Sequence, residues 1–497
     1  MIRTGTEYRE SIRDGREVYV NGERVADVGS HPAFRPLVEM RARMHDMAHD
    51  PASRKVMTVT RNGETQALLN ALPFTQADWW AKRRATDAVL DMAGGIVTRI
   101  GDETVGEMWS LHDCADALAE LDPQFAPNIR RHVERVLTCD LFHVSGNAGP
   151  TPDGSDMALH VVRETDAGVV VRGAKYETAA AYANQAFIKP TLSGWGEAAQ
   201  SDSAIGFICD MAAPGLKFLC RDSFARPASA EDFPLSSRCD EVDTLLIFDD
   251  VLVPWENVIF HRQARAAMQV RATLHRYSAF AFMQRSLRMA DMLIGVALLA
   301  VRQRGFDRQQ TVQEKLTRLA LYRESIHAHL TAAIALAERS PAGLMMPNQS
   351  LLYAGRMHAT GQLPAMMQHT RELCGAQIAL MPETAAFQAP DTAPWLERCY
   401  ADDDWTAEDR RRLMAFARDL LNSDYAGHRL TFQLFAEGPP YAQLATVYRN
   451  FDWEGPMTLV KDCAGLSDRA AGADRLVPGD SAVSKWFATE TPRGPAH

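Results

Sequence analysis

The chain has 497 residues, 46% hydrophobic and 23% charged, with a net charge of −10 and a pI near 5.9. That length exceeds what one hydrophobic core organises and predicts two or three domains, while the acidic balance leaves no electrostatic footprint for nucleic acid. The longest apolar run, Met292 to Val301, is about half of what a bilayer requires, and the N-terminus is charged at once, without a signal-peptide segment, so a cytoplasmic, membrane-free protein is expected.

Taken in chain order, residues 1–137 read as a mostly helical domain. Near its start, Asn21-Gly22 sits between alternating apolar residues in "GREVYVNGERVADV", a strong hairpin signal. A helix is predicted to start at Thr75 as N-cap and to stop at Gly94-Gly95. Residues 138–264 change texture. Short β-branched runs such as "LHVVRET", "GVVVRGAKY", "AIGFICDM" and "VDTLLIFDDVLVP" alternate with turn residues, which predicts a small antiparallel β-barrel or sandwich. From residue 265 to 497 a helical period returns: Leu316, Leu319, Ile326, Leu330 and Ile334 share one face, as in a helical bundle.

Several chemistries lose their sequence support. The chain has no G-x-G-x-x-G, Walker loop, G-x-S-x-G or H-E-x-x-H. Its eight cysteines are scattered without a C-x-x-C, and are expected to be buried thiols. His327 and His329 point some 200° apart on a predicted helix, unsuited to a shared metal. Asp402-Asp403-Asp404 read as a helix N-terminal cluster, and Trp79-Trp80 as core and interface.

Four segments carry a family resemblance. "YRESIRDGREVYVNGERVADVGSHPAFR" (8–35), "LHVVRETDAGVVVRGAKYETAA", "FDDVLVPWENV" (248–258) and "LCGAQIALMP" (373–382) resemble the 4-hydroxyphenylacetate 3-hydroxylase family, oxygenase components of two-component, reduced-flavin-dependent phenol hydroxylases. The resemblance runs from about Arg3 to Asp452, and "AKYETAAAYANQAFIKPT" is similar to a branch acting in pyoverdine-chromophore and isonitrile-coumarin biosynthesis. It implies an α+β, acyl-CoA dehydrogenase-like fold: N-terminal helical domain, middle antiparallel β-barrel and C-terminal helical bundle. It further implies ortho-hydroxylation of a phenol through a flavin C4a-hydroperoxide. FAD is the implied flavin, with FMN also compatible, O2 is the co-substrate, and the assembly is a homotetramer. No NAD(P)H motif is present, so a separate flavin reductase must supply the reduced cofactor.

The resemblance also assigns residues. Arg99, opening "RIGDE" where the family has R-S-P-D-Y, is the cation that orients the phenol, and Glu103 takes the place of the family tyrosine. A carboxylate there would repel a substrate carboxylate lying nearby and argues against 4-hydroxyphenylacetate itself. His143, in "LFH", is the phenol partner and a candidate base. For the flavin, Thr178 matches a threonine near N5, with the small residues after it allowing close approach; one residue fewer separates it from Lys175 than is usual in the family. Asn147, in "NAGP" where the family has P-Q-x-D-R, and Gly438, in the Gly-Pro-Pro turn, are further flavin candidates alongside His143. Two alternatives stay open: an inactive homologue serving as a scaffold, and a flavin-dependent dehydratase related to 4-hydroxybutyryl-CoA dehydratase. His275 resembles the latter's cluster histidine, but Phe282 stands where a cysteine is needed and no cysteine lies between Gly94 and Thr104, so cluster thiolates are missing.

Overall fold

The computed structural model describes residues 2–100, 104–146, 148–150, 155–190, 203–225, 229–274, 276–435 and 440–466. Residues up to Leu444 form one compact unit and those from Ala445 a second, in which Glu454–Ala464 is helical. In the first unit the chain opens with helix α1 (Gly5–Ser11) and the hairpin β1 (Glu17–Val20) and β2 (Glu23–Val25), turning through Asn21 and Gly22 at φ 53° and 82°. Positive φ at both central residues is what the right-handed strand twist demands of a two-residue loop. Next come α2 (Arg35–Asp46), α3 (Arg54–Met57), a small hairpin β3 (Thr58–Arg61) and β4 (Glu64–Ala67), then α4 (Gln76–Ala93), α5 (Val105–Ala119) and α6 (Phe125–Cys139). The capping box predicted for α4 forms: Thr75 accepts from the Asp78 N–H while Asp78 receives the Thr75 N–H, and Gly94 ends the helix at φ 60°.

The strand-rich middle contains β5 (His143–Gly146), β6 (His160–Thr165), β7 (Gly168–Thr178), β8 (Gln185–Ile188), β9 (Ile205–Asp210), β10 (Leu216–Cys220), β11 (Asp243–Pro254) and β12 (Val258–His261), with the single turn α7 (Ser236–Cys239) before β11. Among the described residues they do not make one all-antiparallel barrel. Two sheets form, one ordered β2-β1-β10-β11-β7-β6 and the other β12-β9-β8-β5, and the pairs β1–β10 and β5–β8 run parallel. Hairpin turns force neighbours antiparallel, whereas β1 and β5 reach partners far along the chain, which leaves direction free. β7 is buried along most of its length, and of its ionisable residues Lys175 and Glu177 lie inside the protein while Arg172 and Tyr176 are exposed.

Helices α8 (Ala264–Thr273), α9 (Ser278–Arg302), α10 (Gln310–Ala335) and α11 (Gln349–Cys374) follow, with shorter helices after them. Leu319, Ile326, Leu330 and Ile334 lie in the bundle core as their spacing requires. The bundle shares one continuous core with α4, α5 and α6, in which Trp79, Trp109, Tyr277 and Phe280 pack ring against ring. A separate core lies in the strand region beneath α1 and α2. This order of helices, sheets and helices is the one the family resemblance implies. Among the described residues no helix is long and apolar enough to cross a membrane. Cys139, Cys399 and Cys463 are exposed, which corrects the expectation that all the thiols are buried; Cys139 sits at the end of α6, and Cys399 and Cys463 are on helices with no buried residue.

Candidate active site

The loop after α4, the end of α6 and the start of β5 converge on a pocket. Arg99, Thr104 and His143 line it together with the apolar side chains of Leu69, Leu141 and Phe142. A second, smaller cavity shares Arg41, Met44 and Arg99 with the first and is also lined by Thr98, Ala179 and Tyr182. Arg99, Asp140 and Ala179 each line one or both cavities, and each has the left-handed backbone that non-glycine residues rarely adopt, with φ of 56°, 47° and 68°. Such strain persists where the surrounding structure over-determines it, commonly around functional sites.

Arg99 is fixed from two sides. Arg41 donates to the carbonyls of Arg99 and Thr98 at 3.0 Å each, and the Arg99 guanidinium lies 3.1 Å from a Glu177 carboxylate oxygen. Burial pushes the Glu177 carboxyl up to about 7, against the opposing pull of Arg99, the Ser145 N–H and Lys189. Beyond it, Lys189 donates to both oxygens of Glu107 at 2.6 and 2.7 Å and to Ser145 Oγ, all inside the protein. Two acid–base pairs in sequence, Glu107–Lys189 and Glu177–Arg99, thus lie beside the pocket.

His143 is fully enclosed. Its carbonyl accepts the Thr104 hydroxyl at 2.6 Å, and Nδ1 lies 3.1 Å from Gln185 Nε2. Burial, with the nearby Lys189 charge adding to it, lowers its pKa to about 3, so the ring is neutral. An amide nitrogen only donates, so Nδ1 accepts and Nε2 carries the proton. That N–H has no partner among the described residues, nor have the buried Gln185 Oε1 and Thr98 Oγ1. Buried polar atoms are ordinarily satisfied; these fit bound molecules that bring polar edges of their own.

Of the residues singled out in the sequence, Arg99 and His143 meet in one pocket, while Thr178 lies off its lining. The Thr178 hydroxyl donates to Asp243 at 2.7 Å, and Asp243 is also held by Arg221 Nε at 2.9 Å and His428 Nε2 at 2.6 Å. Its oxygen retains lone pairs for an N–H donor, as a reduced flavin edge provides. The small residues after it form a buried 3₁₀ turn, Ala180–Tyr182, rather than a flat strand edge. Arg16 donates to the Ala181 and Ala183 carbonyls, and the Tyr8 hydroxyl to that of Tyr182. Glu103, Asn147, His275 and Gly438 lie outside the described residues. His327 pairs with Arg323 and Glu324 while His329 bonds the Ser325 carbonyl, and no metal-binding cluster occurs among the described residues. Sequence reasoning missed Glu107, Glu177, Gln185 and Lys189. Their signal was an ionisable or amide side chain inside an apolar run, as in "VGEMW" and "QAFIK".

Arg99 and His143 thus face one enclosed pocket with polar atoms left for a bound molecule, and comparison with known proteins identifies the family. The models described as 4-hydroxyphenylacetate 3-hydroxylase N terminal and C terminal match residues 4–260 and 264–465. The chain belongs to this family. It is the oxygenase component of a two-component flavin-dependent aromatic monooxygenase, with FAD as cofactor and O2 as co-substrate.

Among individual relatives, it is 28% identical to the 4-hydroxyphenylacetate 3-monooxygenase oxygenase component of Thermus thermophilus, over 91% of this chain and 95% of that one. It is 30% identical to the pyoverdin chromophore biosynthetic protein PvcC of Pseudomonas aeruginosa, over 88% and 89%. A solved structure of the oxygenase component HpaB with FAD and 4-hydroxyphenylacetate superposes with a TM-score of 0.86 at 27% identity, covering 93% of this chain and 99% of that one. A 4-hydroxybutyryl-CoA dehydratase from N. maritimus, at 20% identity and a TM-score of 0.86 over 99% and 100%, shares the fold.

Proposed function

We propose that this enzyme hydroxylates a phenol ortho to its hydroxyl group, with Arg99 and His143 holding the phenolic oxygen. The observation that carries the reading is the buried His143 Nε2–H, without a partner among the described residues, in the same pocket as the Arg99 guanidinium. Bound reduced FAD supplies an activated oxygen atom drawn from O2. The protein's task is to make the ring a better nucleophile, and a phenolate is more electron-rich at its ortho carbon than a phenol. A neutral histidine donating through Nε2 and an adjacent guanidinium both stabilise that negative oxygen. Leu69, Leu141 and Phe142 keep water from the ring, which strengthens those contacts.

Thr178, whose hydroxyl proton is committed to Asp243, is the proposed acceptor for a flavin N–H, with Asn147, His143 and Gly438 as further flavin contacts. FAD in preference to FMN, a homotetramer, a cytoplasmic setting and a partner reductase complete the reading. Similarity to PvcC, and 31% identity to a Streptomyces globisporus monooxygenase of a carrier-bound aminoaryl-propanoyl substrate, support a place in secondary metabolism. The test is turnover of a panel of phenols with FAD and a generic flavin reductase, read by mass spectrometry. An ortho-diol product supports the reading. Its absence throughout, with reduced FAD bound, would favour the scaffold role.

A further inference from the structure

The pocket that holds His143 carries a second histidine of opposite hydrogen-bond polarity. His45, near the end of α2, lines the same cavity, as do Asp140 and Asn70. Its Nδ1 lies 3.0 Å from Asp140 Oδ2, and Asn70 Nδ2 donates to the other carboxylate oxygen at 2.7 Å. Burial favours a neutral Asp140, but His45, the Arg3 N–H and the Arg3 charge outweigh it and hold the carboxyl below its ordinary range. An ionised carboxylate only accepts, so His45 Nδ1 carries a proton, and in the neutral ring it is Nε2 that keeps the lone pair. That nitrogen is buried and has no hydrogen-bond partner among the described residues. The ring is fixed in plane by stacking on Tyr8, 5.1 Å between centroids.

The two imidazoles therefore differ in kind. His143 is backed by an amide and offers an N–H; His45 is backed by a carboxylate and offers a base. We propose that His45, supported by Asp140, is a catalytic residue that takes the proton from the phenolic hydroxyl of the substrate. The O–H bond breaks heterolytically, the proton goes to His45 Nε2, and the electron pair stays on oxygen, where His143 Nε2–H and Arg99 hold it. Asp140 neutralises the imidazolium that results, an orienting and stabilising role carboxylates play behind histidine bases. His143 is poorly suited to the task because Lys189 and its enclosure oppose a second proton. The other charged groups around His45, Arg3 on the Asp140 side and Arg41 and Arg99 on the pocket wall, all favour the anionic phenolate.

The inference rests on the reading that this pocket takes a phenol, and the test separates the two. 4-Nitrophenol, whose spectrum reports its ionisation, is titrated into flavin-free protein across pH, with 4-nitroanisole as a non-ionisable control. The wild type is expected to bind the phenolate at pH values where free 4-nitrophenol is mostly protonated. His45→Gln and Asp140→Asn should each reduce the bound phenolate-to-phenol ratio about tenfold or more, one pH unit in apparent ionisation, while binding nitroanisole as the wild type does. Unchanged phenolate binding in His45→Gln would overturn the role of His45 and leave the phenol pocket standing. Failure of the wild type to bind either compound would overturn both.

Discussion

Glu177 holds a carboxylate oxygen 3.1 Å from the Arg99 guanidinium, with 3% and 10% of the two side chains exposed. The pair fixes the cation that faces the pocket and gives the site a titratable group of its own. Because folding raises the Glu177 carboxyl to about 7 from an ordinary 4.5, the protonated form is the one the fold prefers. Its stabilisation is complete below pH 4.5 and is lost as pH rises through 7. Glu177→Gln should remove that loss. Relative to wild type, the variant should gain up to roughly 3 kcal/mol in denaturant unfolding between pH 4.5 and 8, and a parallel pair of stability curves would refute the assignment.

Lys189 and Glu107 form a pair with almost no solvent access, and breaking it from one side strands a buried charge. Lys189→Met is expected to cost about 3–5 kcal/mol. Adding Glu107→Leu should recover most of that, because neither charge is then left alone. Urea denaturation of the single and double variants measures both.

His143→Phe fills the ring's space but removes the Nε2–H. Turnover of a phenol, measured with reduced FAD at saturation, should fall by about 10²–10⁴-fold. A variant that loses FAD binding instead would place His143 against the cofactor alone.

Thr75→Ala removes one half of a capping box and should destabilise the first unit by about 1 kcal/mol, seen as a lower urea midpoint with unchanged slope. No effect would mean that the α4 terminus is frayed in solution.

Those elements also show what the sequence makes legible. Thr75 with Asp78, and Asn21-Gly22 between alternating residues, are local signals: cap and turn chemistry act within four residues and need no tertiary context. The helix–sheet–helix order follows equally from period. Strand partners do not, since β1 meets β10 and β5 meets β8 across long stretches of chain, and no local rule fixes which edges join. The site divides the same way. Arg99 and His143 were found through their family motifs. Glu177, Lys189, Gln185 and the His45–Asp140 pair become visible only when distant segments fold together, as His45 and Asp140 lie 95 positions apart in the chain. Thr178 lies between these cases: the family resemblance points to it, but its bond to Asp243 appears only once β7 and β11 pair.

The central claim is tested most directly by isotope incorporation. The purified protein, supplied with reduced FAD, ¹⁸O₂ and a phenol that it binds, should release a diol carrying a single ¹⁸O atom on the carbon ortho to the original hydroxyl. Reoxidation of the flavin to FAD and hydrogen peroxide, with no labelled aromatic product from any phenol shown to bind in the pocket, would contradict it.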